Sequence, residues 1–279
     1  MLSYRHAFHA GNHADVFKHW LLVEVLSYLN AKEAPWAYID AHAGGGINDL
    51  ESAYTRKLCE YRDGIGRLWQ DRGSAPAKLA IYLKLVEAFN PQGRLRWYPG
   101  SGALAQRLAR SGDRLHLFEL HPTDYASLTE TFAQRRRVHC YREDGFNGLL
   151  RLLPPPSRRG CILIDPSYEV KQDCLRVIEA LKVALKRFPQ GIYLIWYPLL
   201  ADVRTIRMAD KLVRLVPDNY LKAELRVRSP SGEGMFGSGV IVLNPPWVLP
   251  DHCRQVLPWL AGRLAQESSA GYELTYRIL

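Results

Sequence analysis

Short runs rich in apolar and β-branched residues alternate along most of the chain with longer stretches in which apolar residues recur every three to four positions. Strands buried on both faces read as continuous apolar runs, whereas the helices that cover them need one apolar stripe, so this rhythm predicts a mostly parallel sheet flanked by helices. Six strands are expected at 36–40, 115–120, 137–141, 161–165, 191–196 and 239–243. A seventh, 222–228, alternates apolar and charged residues as an exposed antiparallel edge strand does. Helices are expected at 15–30, 103–110, 124–134, 172–187 and 203–216. The fold class is therefore α/β with a Rossmann-like sheet whose last pair of strands is antiparallel.

The rhythm breaks once. Residues 41–114 separate the first two strands, far more than the roughly 30 residues of a strand-helix-strand crossover. Residues 47–98 are expected to form an inserted helical subdomain with helical segments at 56–69 and 76–89, leaving 1–46 and 99–279 as the Rossmann-like domain. Pro99, Gly100 and Ser101 restart the core, with Ser101 near a helix N-cap.

Candidate chemistry gathers at strand ends. Asp40-Ala41-His42-Ala43-Gly44-Gly45-Gly46 follows the first strand, and glycines there let backbone approach a nucleoside cofactor. Glu119 ends the second core strand, where an acid accepts both ribose hydroxyls in dinucleotide-binding folds. Asp144 and Gly145 end the third, placed to bond an adenine amine. A cleft lip carrying Asp40, Glu119, Asp144 and Asp165 would suit a positively charged sulfonium. Each acid alone is equally a helix cap or turn residue; their common register is what suggests a site.

The run Cys161-Ile162-Leu163-Ile164-Asp165-Pro166-Ser167-Tyr168 is a buried strand that breaks at an acid, a proline and an aromatic. It resembles the D-P-P-Y signature of amino-methyltransferases. The lone pair of an adenine N6 is delocalised into the purine and becomes nucleophilic once its N–H bonds meet acceptors. The Asp165 carboxylate and Pro166 carbonyl are the candidate acceptors, and the Tyr168 ring is placed to stack on a flipped-out base. Methyl transfer then needs alignment rather than covalent catalysis. Ser167 departs from the signature, which has a second proline there; serine removes a restraint on Pro166 and adds an N–H. Asn244-Pro245-Pro246-Trp247 fits a looser version of the motif, but it follows the last strand and is expected to be a structural turn.

Four imidazoles and a carboxylate stand between residues 6 and 19, and His9, His13 and Asp15 are conceivable metal ligands. No zincin-type H-E-x-x-H occurs, so no metal is expected. The net charge of +9, with Arg135 to Arg137 in a triplet, Arg158 next to Arg159, and Arg204, Arg207, Lys211 and Arg214 at helical spacing, suits a polyanionic partner. The same residues read equally as solvated faces. Five scattered cysteines suggest neither a disulfide framework nor a thiolate metal site. With no apolar run approaching roughly 18 residues and no signal-peptide pattern, a cytoplasmic location is expected.

The opening Tyr4-Arg5-His6-Ala7-Phe8-His9-Ala10-Gly11-Asn12-His13-Ala14-Asp15-Val16-Phe17-Lys18-His19, the Asp40 to Gly46 loop, Tyr98-Pro99-Gly100-Ser101, Glu119-Leu120-His121-Pro122, Asp144-Gly145 and the late Asn-Pro-Pro-Trp together resemble the bacterial 23S ribosomal RNA adenine-N6 methyltransferase J family over essentially the whole chain. The resemblance implies a class I S-adenosylmethionine-dependent fold acting on one adenine of naked or early-assembling 23S ribosomal RNA, with no obligate protein partner. By motif it implies that Lys18, His19, His42, Ser101, Glu119, Asp144, Gly145 and Asp165 contact the cofactor. It also makes Asp165, Pro166 and Tyr168 catalytic, and it places Tyr4 with Tyr168 on the substrate base. The rival readings are a DNA adenine-N6 methyltransferase, a nucleic-acid-binding homologue weakened by Ser167, and a hydrolase built on the N-terminal histidines.

Overall fold

The computed structural model describes residues 8–170, 172–230 and 234–278. The chain begins with α1 (His13–Asn30) and β1 (Ala37–Asp40), then passes through β2 (Ile47–Asp49), α2 (Ala53–Leu58), α3 (Ile65–Gln70), α4 (Ala77–Ala88) and β3 (Trp97–Pro99). There follow α5 (Ser101–Leu108), β4 (Arg114–Phe118), α6 (Pro122–Phe132), β5 (Val138–Tyr141), α7 (Gly145–Arg151) and β6 (Gly160–Ile164). The last third holds α8 (Asp173–Arg187), β7 (Ile192–Leu199), α9 (Arg204–Val213), β8 (Tyr220–Arg226), β9 (Gly237–Leu243), α10 (Leu249–Leu264) and β10 (Gly271–Arg277).

Among the described residues, eight strands form one sheet in the order β10-β8-β9-β7-β6-β1-β4-β5. β5, β4, β1, β6 and β7 run parallel, while β9 is antiparallel to both β7 and β8. Alternation along each strand sends side chains to two apolar layers. Tyr38, Cys161 and Leu163 pack with α1, α4, α5 and α10, and Ile39, Ile162 and Ile164 pack with residues of α7, α8 and α9. Because both faces are covered, β6 is buried along its whole length, which is why it reads as an uninterrupted apolar run. No helix among the described residues is long and apolar enough to cross a membrane.

Several expectations need correction. The 222–228 strand is not an edge: β10 pairs antiparallel with β8 from Gly271↔Arg226 to Arg277↔Tyr220 and takes the edge itself. Ser101 is, as expected, next to the N-cap of α5, but it is the first helical residue rather than the cap. Gly100 holds that position, and the Ser101 hydroxyl donates to Asp40 Oδ2 at 2.5 Å. The 56–69 helix is two short helices separated by a 3-10 turn, broken where Cys59 adopts a left-handed φ of 54° and Gly64 follows.

The excursion from β2 to β3 is closed by an antiparallel pair, Ile47↔Pro99 through Asp49↔Trp97. Between them, Ile65, Leu68, Trp69, Leu79, Tyr82, Leu83 and Val86 are buried in the same cluster as Phe17, Trp20 and Leu21 of α1. These segments therefore share the core of the sheet. α1 is buried nearly all round, so it is apolar beyond one stripe.

Candidate active site

The sheet reverses its strand order at β1, which has β4 on one side and β6 on the other. Such a switch point opens a crevice beyond the carboxyl ends of the strands. Here a cleft of about 950 Å³ opens to solvent, lined by the loop after β1, by Glu119 and Leu120 after β4, by Asp144 to Phe146 at the start of α7, and by Asp165 to Ser167 after β6.

Glu119 is fixed by two backbone donors, the Gly44 N–H to Oε2 at 2.9 Å and the His121 N–H to Oε1 at 2.7 Å. Each oxygen keeps a further lone pair for a ligand hydroxyl. Burial raises the pKa of this carboxyl. Gly44 is left-handed, with φ of 62°, and presents backbone where a side chain would fill the cleft. Asp144 caps α7 by accepting the Asn147 N–H at 3.2 Å and pairs with Arg176 at 2.5 Å. Burial works to raise its pKa, and the hydrogen bonds and charge of Arg176 and the Asn147 N–H outweigh it, leaving the pKa lowered. At Gly145 a Cβ would lie 1.8 Å from the Ala41 carbonyl oxygen, so α7 can press against the β1 loop only with glycine there.

Asp40 does not belong to the lip. It is fully buried and accepts from the Tyr38 hydroxyl at 2.8 Å, from Ser101 at 2.5 Å and from the His42 N–H at 3.1 Å. Its burial raises its carboxyl pKa, and its role is to tie β1, the loop and α5 together beneath the cleft. His42 accepts the Asp165 N–H through Nδ1 at 3.2 Å and meets Phe146 edge-on at 5.0 Å. Burial pushes its pKa down to about 3, which leaves the ring neutral and able to accept.

Asp165 stands where this cleft meets a second one of about 790 Å³, and Ser167 lines both as well. The second cleft is walled by Asn12, Lys18, Tyr168, Trp196 and Pro198. The Lys18 ammonium, 4% exposed, forms ion pairs with Asp165 and, at 2.9 Å, with Asp15 Oδ1. Burial alone would lower the Lys18 pKa; the two carboxylates more than offset it, so the lysine stays charged. Tyr168 takes a left-handed φ of 56°, donates its hydroxyl to the Trp196 carbonyl at 2.6 Å, and has its ring 6.0 Å from that of Trp196 at a tilt of 49°. A narrow recess beside Asp165 gathers Lys18, His19, His42, Gly44 to Gly46 and Ser101. His19 is fixed there by a 2.8 Å hydrogen bond to the Tyr98 hydroxyl.

Lys18, His19, His42, Ser101, Glu119, Asp144, Gly145, Asp165, Pro166 and Tyr168 thus line one connected system of clefts. Tyr4 lies outside the described residues. Trp196, Asn12 and Asp15 also line the second cleft, and the sequence pattern does not mark them as its residues. Trp196 sits inside a strand where an aromatic reads as core, Asp15 stands in the sequence as a conceivable metal ligand rather than a partner of Lys18, and Asn12 proves to cap α1 by accepting the Asp15 N–H at 2.9 Å.

The conceivable metal ligands are dispersed. His9 faces Glu60 at 3.0 Å, Asp15 pairs with Lys18, and burial lowers the His13 pKa to about 4. Among the described residues no three His, Cys, Asp or Glu side chains are grouped to hold a metal. Asn244 follows antiparallel β9, whose last residue Leu243 pairs with Tyr193 near the start of β7, so it lies at the sheet end away from Asp165. Its amide donates to the Pro189 and Gly191 carbonyls at 2.7 Å each, and its φ is 54°. This is the geometry of a structural turn.

The family model described as "Ribosomal RNA large subunit methyltransferase D, RlmJ" matches residues 33–278. The chain belongs to this family. Two curated proteins, each called "Ribosomal RNA large subunit methyltransferase J", are similar over nearly their full length. The one from Escherichia coli K12 is 45% identical over 95% of this chain and 94% of its own. The one from Haemophilus influenzae is 42% identical over 99% of both chains. The crystal structure of protein LPL1258 from Legionella pneumophila superposes with a TM-score of 0.90 at 36% identity, covering 96% of this chain and 98% of that one.

Proposed function

We propose that this chain transfers a methyl group from S-adenosylmethionine to the exocyclic N6 amine of one adenine in 23S ribosomal RNA. The observation that carries the reading is the position of Asp165 in the wall shared by two clefts, so that one side chain addresses both a cofactor and a substrate base. The relatives named as ribosomal RNA methyltransferases supply the substrate class.

The first cleft suits the cofactor by its donor set: carboxylates of Glu119 and Asp144, the Phe146 ring, and a left-handed glycine turn that leaves room for backbone contact. Glu119 would hold the ribose hydroxyls and Asp144 with Gly145 the adenine edge. Lys18, His19, His42 and Ser101 would surround the amino-acid end. When bound, S-adenosylmethionine supplies an electrophilic methyl group on a sulfonium.

The chain's own residues supply the positioning. Asp165, ion-paired with Lys18, offers carboxylate oxygens as acceptors, and together with the Pro166 carbonyl it would receive the two N–H bonds of the adenine amine. As it gains its new bond the amine loses one proton, which would pass along its hydrogen bond to the Asp165 carboxylate and on to solvent through the open cleft. Tyr168 and Trp196 offer ring faces to the base, and Tyr4 joins them by the family resemblance. No covalent intermediate with the chain is required.

The test is methylation of deproteinised 23S RNA with labelled cofactor, followed by mapping of the labelled nucleotide, with assembled large subunits and DNA as parallel substrates. Label in N6-methyladenosine at one position of the free RNA is expected, with less on assembled particles. Label confined to DNA, or on another atom, would remove this reading.

A further inference from the structure

A ribosomal RNA substrate is a polyanion, and its target base must be led into the cleft beside Tyr168. α9 carries a stripe of charge suited to that task. Arg204, Arg207, Lys211 and Arg214 are all exposed and follow one another at three, four and three residues, which places them along one side of the helix. The side toward the sheet, Thr205, Met208, Ala209 and Leu212, is buried.

Two observations separate this stripe from an ordinary solvated face. Arg204 pairs with Asp202 at 2.5 Å, but among the described residues no carboxylate lies within ion-pair distance of Arg207, Lys211 or Arg214, and the one acid of α9, Asp210, faces Lys222 at 3.6 Å. Second, Arg204 and Arg207 occupy the opening of the helix, which has no acidic residue in its first turn. Cations there oppose the helix dipole. Asp202 answers Arg204, taking its backbone N–H at 3.0 Å as well as its guanidinium, and Lys211 and Arg214 sit at the end of the helix that favours cations, so Arg207 is the one that helix stability does not account for.

The stripe also begins at the substrate cleft. Pro198 and Leu200 line that cleft, and the Thr205 hydroxyl donates to the Pro198 carbonyl at 2.8 Å, tying the first turn of α9 to the cleft wall. From Arg204 to Arg214 the stripe runs about 15 Å along the axis, long enough to meet more than one phosphate of a single strand. We propose that this face of α9 is the track that holds the backbone phosphates of the RNA strand adjoining the target adenine. The inference rests on the methyltransferase reading above. It assigns no such role to Arg135, Arg136 and Arg137, which precede β5 at the sheet end away from Asp165, where the Arg137 carbonyl accepts the Leu115 N–H.

The test compares the full chain with two triple variants, R207A/K211A/R214A and R135A/R136A/R137A, using a transcribed 23S RNA fragment as both binding probe and substrate. For the α9 variant we expect RNA affinity to fall on the order of tenfold and the slope of log affinity against log salt to shrink by about two, with kcat at saturating RNA nearly unchanged. Affinity for S-adenosylmethionine should not move, and R207K/R214K should keep the wild-type salt slope. Wild-type RNA affinity and slope in the α9 variant, or the loss appearing in the 135–137 variant instead, would overturn the track. If the wild-type chain binds the RNA through α9 yet methylates no nucleic acid, the methyltransferase reading fails and the track stands.

Discussion

Asp165 does two things with one carboxylate: it neutralises a buried ammonium and it faces the place where the target amine would sit. Asp165→Ala should therefore abolish methyl transfer while leaving cofactor affinity within a few-fold. Because Lys18 keeps only Asp15 as a described carboxylate partner, the same change should lower stability by about 1.5–3 kcal/mol, the range for a hydrogen bond to a charged group. Asp165→Asn separates the two effects: an acceptor oxygen remains, the charge does not, and turnover close to that of the alanine variant would show that the charge is needed. Near-native turnover of the alanine variant would move the chemistry elsewhere. Ser167 is the neighbouring test. Among the described residues its N–H donates no hydrogen bond, so proline there breaks none. Ser167→Pro should raise turnover modestly at unchanged cofactor affinity and alter stability by no more than about 0.4–1 kcal/mol, in the favourable direction. A drop in turnover would show that the Pro166 carbonyl is already aimed.

At the scale of elements, the parts of the fold that announce themselves are those whose burial is simple. β6 is covered on both faces and is apolar throughout, and the acids that follow β4, β5 and β6 stand out against such runs. α7 leaves little trace in the hydrophobic pattern because Gly145 and Gly148 interrupt any helical period; at Gly148 a Cβ would fall 2.1 Å from the Phe118 ring, so close packing dictates the residue. α10 was hidden by Pro258 inside it, which reads as a break, and β10 by its largely exposed residues. The site was legible one strand end at a time. Its assembly was not: Lys18 and Asp165 are 147 residues apart, and only the packing of α1 against the sheet brings them together. Gly145 tests how tightly two elements must meet. Gly145→Ala forces α7 off the β1 loop and should cost at least the 1–3 kcal/mol typical of overpacking, read by denaturant unfolding, together with weaker cofactor binding. Unaltered stability would mean that α7 can retreat freely.

For the whole molecule, acid should be more damaging than the basic composition suggests. Burial holds His13 near a pKa of about 4 and His42 near about 3, both below their ordinary 6.5. A histidine kept neutral by the fold takes up a proton on unfolding, so the stability of the neutral form is intact above about pH 6.5 and is lost as the pH falls below it. Between pH 7 and pH 5 each should remove about 2 kcal/mol from the unfolding free energy. Denaturant titrations at the two pH values check the sum, and NMR of the His42 ring, expected to remain neutral at pH 5, checks the cause. A flat profile would mean that neither ring is shielded as its burial implies.

The chain leaves for its long excursion at Ile47 and returns at Pro99, and these two residues are paired neighbours. Geometrically, then, the segment is a detachable parenthesis: cut out, its ends could be rejoined by a short turn without disturbing the register of the main sheet. Its contents forbid this. Glu60 holds His9 and Asn12, the Ile65 N–H donates to the Gly11 carbonyl at 2.8 Å, and the Tyr82 hydroxyl meets that of Tyr98, which in turn fixes His19. All of these brace the start of the helix that delivers Lys18 to Asp165. A fold that leans Lys18 on such a segment cannot lose it without losing the brace, so the segment is free to lengthen at its surface but not to be excised.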